Sequence, residues 1–294
     1  MEAYRAIARA KHEAHSKREV AAVSEPVAPA RSAATAASPR PMSIRDQVVC
    51  ACTAANQRCL VCLGRSLPGI ALPSLGKTGF ASSLCEAAEL LARLYAVAPI
   101  ERAHELSARD KAVFGNARSL IYGEIDFFAF ARVLEIALQS ASVPAEKQPV
   151  FLDLGSGTGK AVVAAALVYP FAQCIGVELL PSLHAVAHAV VTAACATAAP
   201  ALAAPARSRL EVVCGDMFLH ERVLSNADVV YVATTGFDDQ LLKKVAMFLE
   251  PTLRLGAIVI NLSLPLPLAR LRVVHQAPFK FSWGNSEVYI LEVC

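Results

Sequence analysis

The sequence lacks a marked excess of either charge. Its 28 lysines and arginines stand against 25 acidic residues, which gives a net charge of +3 over 294 residues. Residues 1–49 hold eight of the basic residues and five of the acidic ones, so residues 50–294 are neutral overall. Nucleic-acid-binding domains usually present a basic surface that neutralises phosphates. The bulk charge therefore disfavours RNA and DNA, and leaves a local basic patch as the only route to direct nucleic-acid binding.

Long apolar runs are also missing, although 55% of the residues are hydrophobic. The best uncharged stretch, Leu183 to Ala206, is mostly alanine and contains two histidines and two prolines, which does not fit a membrane span. The N-terminus lacks the apolar core of a secretory signal. We therefore expect no membrane partner and an intracellular location, in the nucleus or the cytoplasm, with an organelle left open.

The cysteines are scattered and odd in number. Nine cysteines without a paired framework predict reduced thiols in an intracellular setting. Two pairs, Cys50 with Cys52 and Cys59 with Cys62, raise zinc as an alternative, because two dithiol arms can close a four-sulfur site. The segment is apolar, however, and cysteine packs in helices as a small hydrophobic residue. We expect no metal site.

The composition divides the chain into three parts. Residues 1–42 combine a charged stretch with an Ala/Pro/Ser-rich run, which predicts a disordered, low-complexity N-terminal segment. Residues 43–120 have apolar positions at helical spacing and are expected to form a helical N-terminal subdomain. Residues 121–294 alternate short apolar runs with helical patterns, which is typical of an α/β domain.

One stretch has the pattern of a strand, a tight loop and a helix. The apolar run Val150 to Leu154 leads into Gly155, Gly157 and Gly159, and an Ala/Val-rich stretch follows. The run predicts a buried parallel strand. Glycines allow the backbone to approach a ligand, and the helix presents its unpaired N–H groups to that ligand. The sequence therefore predicts a ligand-binding loop here.

The spacing of this loop excludes two common nucleotide motifs. A dinucleotide-binding G-x-G-x-x-G loop needs glycine at position 160, where the chain has Lys160. A phosphate-binding G-x-x-x-x-G-K-[ST] loop needs glycine at 154 and a hydroxyl at 161, where the chain has Leu154 and Ala161. What remains, an acid at Asp153 followed by three alternate glycines, is similar to the first motif of class I S-adenosylmethionine-dependent methyltransferases.

Three further strands are expected to end in polar residues. Gln173 to Val177 is followed by Glu178, where a doubly wound fold places a carboxylate on the ribose hydroxyls. Leu210 to Cys214 is followed shortly by Asp216, suited to the adenine amine. Asp228 to Val232 is expected to be the fourth strand, and it is followed by Ala233, Thr234 and Thr235. Ligands of open α/β sheets bind at the carboxyl ends of the strands, so these acids are expected to share one site.

With these residues assembled, the chain resembles the disruptor-of-telomeric-silencing family of histone-lysine methyltransferases, the group that lacks the SET domain. The resemblance spans roughly residues 100–294 and is carried by Tyr122-Gly-Glu124, Asp153-Leu-Gly-Ser-Gly-Thr-Gly159, Gly176-Val-Glu178, Cys214-Gly-Asp-Met-Phe218, Ser282-Trp-Gly284 and Val288-Tyr-Ile290.

The resemblance implies a seven-stranded, mostly parallel, Rossmann-like class I methyltransferase sheet with an N-terminal helical extension. The implied cofactor is S-adenosyl-L-methionine, and the implied partner is a protein with an acceptor lysine, such as a histone. The residues expected to bind the cofactor are Tyr122, Glu124, Asp153, Gly155, Ser156, Gly157, Thr158, Gly159, Glu178, Asp216 and Met217. The residues expected around the reacting groups are Tyr122, Thr234, Thr235, Phe237 and Trp283, with Tyr289 as a further aromatic wall.

The chain departs from the family after the fourth strand. The family typically has an Asn-Asn-Phe type motif there, and this chain has Ala233-Thr-Thr-Gly-Phe237. Threonine makes a single-hydroxyl contact and lacks the geometry of the amide. Two alternatives therefore stay open, because a fold does not fix its substrate. One is a class I methyltransferase acting on a non-histone protein, a small molecule or RNA. The other is an inactive pseudo-methyltransferase that serves as a scaffold.

Overall fold

The structure, a computed structural model, describes residues 84–114, 118–141, 147–197, 209–267 and 269–294. The predicted low-complexity segment, the paired cysteines at positions 50 to 62 and most of the Ala/Pro-rich stretch at 197–208 lie outside these residues. Of the predicted helical subdomain, the structure describes the part from residue 84 onward.

Three of the described helices precede the first strand, and the first two of them form the helical extension. Helix α1 covers Leu84–Leu94 and continues into a 3-10 turn at Tyr95–Val97, and α2 covers Ile100–Val113. A second 3-10 turn follows at Arg118–Leu120. The apolar side of α1 is buried in the same core as the sheet, with Leu91 and Tyr95 at most 5% exposed. The described part of the helical extension therefore packs directly against the α/β domain.

Helix α3, Phe127–Ser140, leads into the sheet. It begins where Asp126 acts as its N-cap, because a carboxylate oxygen accepts the N–H groups of Phe128 at 3.0 Å and Ala129 at 3.1 Å. Such a cap satisfies donors that have no partner within the helix. The amphipathic pattern of the sequence predicts a helix over Ile125 to Gln139, so the helix in the structure begins two residues later.

Seven strands form one sheet. They are β1 (Val150–Leu154), β2 (Gln173–Glu178), β3 (Arg209–Cys214), β4 (Val229–Val232), β5 (Ile258–Leu262), β6 (Leu271–Phe281) and β7 (Gly284–Val293). Their spatial order is β3-β2-β1-β4-β5-β7-β6. Strands β1 to β5 pair in parallel, and β7 pairs antiparallel with both β5 and β6. The expected seven-stranded, mostly parallel sheet and its antiparallel last strand are confirmed.

Helices cover both faces of the sheet, as an all-apolar parallel sheet requires. The connecting helices are α4 (Lys160–Val168), α5 (Pro181–Thr197), α6 (Glu221–Ser225) and α7 (Asp239–Leu249), with a 3-10 turn at Met217–Leu219. In β1, Phe151 is buried on the side of α1, α3, α4 and α5, while Leu152 and Leu154 are buried on the side of α6 and α7. Among the described helices, none has the length and apolar character needed to cross a membrane.

The last two strands form a hairpin that is longer than the pattern predicts. In the sequence, alternating apolar and polar residues predict strands at Arg270 to His275 and at Glu287 to Val293. In the structure, β6 continues to Phe281 and β7 begins at Gly284. Strand β6 lies at the edge of the sheet, where Pro278 is tolerated because no ladder donor is lost. The hairpin turn, Ser282-Trp283, is thereby carried back toward the start of α3, where Ile125 bridges to Phe281.

Candidate functional site

A cavity of about 640 Å³ lies at the carboxyl ends of the parallel strands. Its volume is in the usual range for pockets that bind small molecules and cofactors. The loops after β1, β2, β3 and β4 line it, together with α2, the Tyr122 turn and the Ser282-Trp283 turn. The position agrees with the general rule that ligands of open α/β sheets bind at this edge.

The glycine loop forms the floor of the cavity. The N–H groups of Gly155 and Ser156 both donate to the carbonyl of Val177, at 2.9 and 3.0 Å, which fixes the loop against β2. Gly157 has φ +56°, a conformation that side-chain-bearing residues rarely adopt. A Cβ on Gly157 would also lie 2.6 Å from a ring carbon of Tyr122. Only glycine satisfies both conditions at this position.

Glu178, at the end of β2, is held by backbone donors. Its carboxylate accepts the N–H of Gly157 at 2.6 Å and the N–H of Leu180 at 2.8 Å, one on each oxygen. Each oxygen keeps a further lone pair, so the carboxylate can also accept two hydroxyl protons from a ligand. Burial raises the pKa of Glu178, and the backbone N–H groups oppose this shift. The geometry suits a carboxylate that binds a vicinal diol such as that of a ribose.

Asp153 brings a second carboxylate to the same wall. It is 3% exposed and lines the cavity. Burial raises its pKa well above the usual range, and the nearby charge of Glu178 raises it further. A buried carboxylate in this state gains most from a cationic ligand group, because an opposite charge offsets the cost of desolvation. The donor set therefore suits a ligand that carries both hydroxyl groups and a positive charge.

The Tyr122-Gly-Glu turn closes over the glycine loop. The Tyr122 hydroxyl donates to the Glu124 carboxylate at 2.6 Å and lies 2.8 Å from the Thr158 hydroxyl. Lys160, the first residue of α4, donates to the other oxygen of Glu124 at 2.5 Å. Burial and the charge of Glu124 raise the pKa of Tyr122, so its hydroxyl stays protonated. The turn, the loop and α4 are thus joined by one polar network.

The hairpin turn holds the other side of this segment. The Glu124 N–H donates to the Ser282 hydroxyl at 3.1 Å, and the Ser282 N–H donates to the Glu124 carbonyl at 2.8 Å. Trp283 stacks on Phe281 with ring centroids 4.8 Å apart, and it lines the cavity while 40% exposed. Residues more than 150 positions apart in the chain therefore build one rim.

The segment after β4 separates the two threonines. Thr234 is 1% exposed, its hydroxyl donates to the carbonyl of Leu262, and it does not line the cavity. Thr235 does line the cavity, and its hydroxyl lies 2.8 Å from that of Ser263. The N–H of Phe237 donates to the carbonyl of Thr234 at 3.1 Å, so the chain turns directly after Thr234 and brings Thr235, but not Thr234, to the cavity.

The predicted site residues can now be placed. Twelve of them line the cavity: Tyr122, Glu124, Asp153, Gly155, Ser156, Gly157, Glu178, Asp216, Met217, Thr235, Phe237 and Trp283. Four do not. Thr158 and Gly159 lie behind the loop, Thr234 is turned toward β5, and Tyr289 is placed on β7, where its hydroxyl is 3.5 Å from Gln276. The expected aromatic wall at Tyr289 is absent from the cavity lining.

Sequence reasoning missed several lining residues, among them Lys160, Glu101, His104 and Phe218. Lys160 served there only to exclude a dinucleotide motif. His104 comes from α2 and packs edge-on against Tyr122, with ring centroids 5.7 Å apart. The sequence around His104 contains no pattern that would predict its contact with Tyr122 or its place in the cavity lining. Phe218 follows the motif acid Asp216, so its place in the sequence was a usable signal.

The cavity fits the cofactor that the family resemblance implies. The hydroxyl of Ser156 is buried, lines the cavity and has no hydrogen-bond partner within the described protein. A buried hydroxyl without a partner costs free energy, which a ligand acceptor or donor would relieve. Together with the buried carboxylates of Glu178 and Asp153, this hydroxyl suits the hydroxyl and cationic groups of S-adenosylmethionine.

Comparison with known proteins gives one family match. The family model of the histone methylation protein DOT1 matches residues 102–268, more than half of the chain. No curated protein sequence matches it.

Three solved structures with distant similarity are methyltransferases or are named TrmN. An RNA methyltransferase from Salinibacter ruber, solved with S-adenosyl-L-homocysteine, is 24% identical over 55% of this chain and 90% of its own, with a TM-score of 0.40. The rRNA methyltransferase aviRa from Streptomyces viridochromogenes is 14% identical over 58% and 86%, with a TM-score of 0.44. TrmN from Thermus thermophilus is 16% identical over 56% and 49%, with a TM-score of 0.43. Similarities this low say nothing of the substrate of this chain.

Proposed function

Because the chain belongs to the DOT1 family of histone methylation proteins, we propose that it transfers the methyl group of S-adenosylmethionine to the ε-amine of a lysine, with a histone as the substrate. The observation that carries the proposal is the cavity at the carboxyl edge of the sheet, where the family motifs converge. A histone substrate would place the protein in the nucleus.

The proposed cofactor site uses the two buried carboxylates. Glu178 would accept the ribose hydroxyls with the lone pairs that its backbone contacts leave. Asp153 would lie beside the positively charged amino-acid part. Asp216, whose carboxylate caps the turn at Phe218, would lie at the adenine, with Met217 and Phe218 as its apolar walls. The bound cofactor supplies an electrophilic methyl group on a sulfonium, so no protein nucleophile is needed.

The proposed acceptor entrance lies between the segment after β4 and the hairpin turn. Thr235, Phe237 and Trp283 line this part of the cavity. Aromatic walls exclude water, and desolvation favours the neutral form of a lysine amine, which is the form that can attack. The remaining task of the protein is to align the amine with the methyl group, and a rigid rim serves that alignment.

We propose that Tyr122 and Glu124 hold the glycine loop and the hairpin turn in a fixed position relative to each other. Both line the cavity, Tyr122 contacts the glycine loop through the Thr158 hydroxyl, and Glu124 contacts the hairpin turn through Ser282. Thr158 and Gly159 would support the loop from behind. Thr234 would hold the segment after β4 to β5, leaving Thr235 as its polar contact with the acceptor.

The acceptor class can be tested with labelled methyl transfer. The protein is incubated with S-adenosylmethionine carrying a tritiated methyl group and with free histones, nucleosomes, total RNA or a small-molecule extract. Label in the histone fraction, recovered as methyllysine after acid hydrolysis, is the expected result. Label in RNA or in small molecules alone would overturn the lysine assignment and favour a different class I substrate.

A control variant separates transfer by this protein from contaminating activity. Trp283→Ala removes the aromatic wall of the proposed entrance while leaving the buried carboxylates in place. We expect this variant to bind S-adenosylhomocysteine as the wild type does but to label histones at least roughly tenfold more slowly, since a misaligned acceptor costs catalysis more than binding. Equal labelling by both proteins would contradict the proposed entrance.

A further inference from the structure

The charge of the cavity lining is unbalanced. Among the described residues that line it, Lys160 is the one lysine or arginine, and five acidic residues share the lining with it, namely Glu101, Glu124, Asp153, Glu178 and Asp216. The amino-acid part of the proposed cofactor carries a carboxylate beside its positive charges. Acidic side chains offer that carboxylate no attraction, so its binding needs a cationic partner within the cavity.

We propose that Lys160 binds the α-carboxylate of the cofactor's amino-acid part, and that Tyr95 and Glu124 hold the lysine in place for this contact. This inference rests on the proposed function. It makes Lys160 a residue that determines cofactor specificity and Tyr95 a residue that positions it.

The position of Lys160 favours this contact. It is the first residue of α4, a nine-residue helix that follows the glycine loop directly. Unpaired N–H groups and the positive end of the helix dipole attract anions at this point. The ammonium has three donors, of which one reaches Glu124 at 2.5 Å, and its side chain is 33% exposed. Donors therefore remain for a second carboxylate.

Two groups from different parts of the chain fix the lysine. Glu124 comes from the Tyr122 turn, and the ring of Tyr95 lies with its centroid 5.5 Å from the Lys160 ammonium, within cation–π range. The Tyr95 hydroxyl also donates to the carbonyl of Thr158 at 2.9 Å. Tyr95 precedes the residues 102–268 that match the family, so this support comes from the helical extension of this chain.

The test compares two ligands that differ by one group. S-adenosylhomocysteine and its decarboxylated analogue share the nucleoside, the thioether and the amine, and only the first has the carboxylate. Calorimetric titration measures both affinities for the wild type, Lys160→Met and a matched control, Lys243→Gln, whose side chain is exposed on α7. The quantity of interest is the ratio of the two affinities for each protein.

The expected result is a selective loss. Charge-assisted hydrogen bonds contribute about 1.5–3 kcal/mol, so Lys160→Met should weaken S-adenosylhomocysteine roughly 10- to 100-fold and leave the decarboxylated analogue unchanged. Lys243→Gln should change neither. Equal losses for both ligands would overturn the assignment, because the lysine would then act only on the loop. Failure of the wild type to bind either ligand would overturn the proposed function as well.

A pair of Tyr95 variants tests the positioning role. Tyr95→Phe keeps the ring but loses the contact with Thr158, so both ligands should weaken equally and the affinity ratio should persist. Tyr95→Leu also loses the ring, and the ratio should fall by roughly 2- to 10-fold. Because the ratio is taken within one protein, partial unfolding does not change it. Identical ratios for the two variants would overturn the role of the ring.

Discussion

Trp283 packs against Gly123 so closely that a Cβ on Gly123 would overlap ring carbons Cζ3 and Cε3 of the indole. Gly123 lies in the Tyr122 turn, and Trp283 lies in the hairpin turn between β6 and β7. The contact joins the proposed cofactor wall to the proposed acceptor entrance. It makes the missing side chain at position 123 a steric requirement of the site.

Gly123→Ala is therefore expected to displace the indole. Overpacking of this kind costs about 1–3 kcal/mol, and methyl transfer should fall with it. Trp283 is the single tryptophan of the chain, so its fluorescence reports the displacement directly. In a Trp283→Ala background the same alanine should cost little stability in urea unfolding. An equal cost in both backgrounds would contradict the steric explanation.

Asp153 is expected to lower the free energy of unfolding of the ligand-free protein as the pH rises. Burial and Glu178 raise the pKa of Asp153 in the folded state, so its charged form is disfavoured there. Its contribution to stability is complete below the unfolded pKa of about 3.9 and is lost as the pH rises through the folded pKa. Asp153→Asn should therefore melt at a higher temperature than the wild type at pH 8, by a margin that shrinks toward pH 5.

The same variant should bind the cofactor less well, because asparagine carries no charge to pair with a cationic ligand group. Thermal melting at several pH values, with and without S-adenosylhomocysteine, measures both effects. Two results would contradict the view that burial disfavours the charged form of Asp153. One is a variant that melts at a lower temperature than the wild type at pH 8, and the other is a difference in melting temperature that does not change with pH.

The two threonines after β4 should respond differently to the same substitution. Thr234→Val removes a buried hydrogen bond to the carbonyl of Leu262, which still accepts the N–H of Leu264 at 2.8 Å, so the free energy of unfolding should fall by about 0.5–1.5 kcal/mol. Thr235→Val removes a hydroxyl that lines the cavity, and should instead lower the rate of methyl transfer. Urea unfolding and labelled transfer per folded molecule distinguish the two. If both substitutions changed stability and transfer rate in the same way, the different positions of the two hydroxyls, one buried against β5 and one in the cavity, would be contradicted.

Much of the fold followed from local chemistry. The apolar run before the glycine loop, the acid after β2 and the alternation in β7 each reflect a backbone requirement that a short stretch of sequence expresses. The extent of the hairpin did not follow in this way. Pro278 interrupts the strand pattern, and its tolerance depends on the position of β6 at the sheet edge, which is a property of the whole fold.

The candidate site was predictable where a motif marks it and not where the fold assembles it. The glycine loop, Glu178 and Asp216 lie at strand ends, so their convergence follows from sheet topology. Lys160 and Tyr95 meet across 65 positions of chain, and no spacing rule announces such a contact. The choice between Thr234 and Thr235 depends on the direction in which the chain leaves β4, which the residue types do not encode.

The central claim is that the cavity binds the methyl donor through the carboxylate at the end of β2. Calorimetric titration with S-adenosylhomocysteine, for the wild type, Glu178→Ala and the exposed control Glu105→Ala, tests it most directly. The account predicts micromolar binding by the wild type and by Glu105→Ala, and a loss of roughly 100-fold or more in Glu178→Ala, since two ribose contacts and two backbone contacts disappear together. Unchanged affinity in Glu178→Ala, or no binding by the wild type, would contradict it.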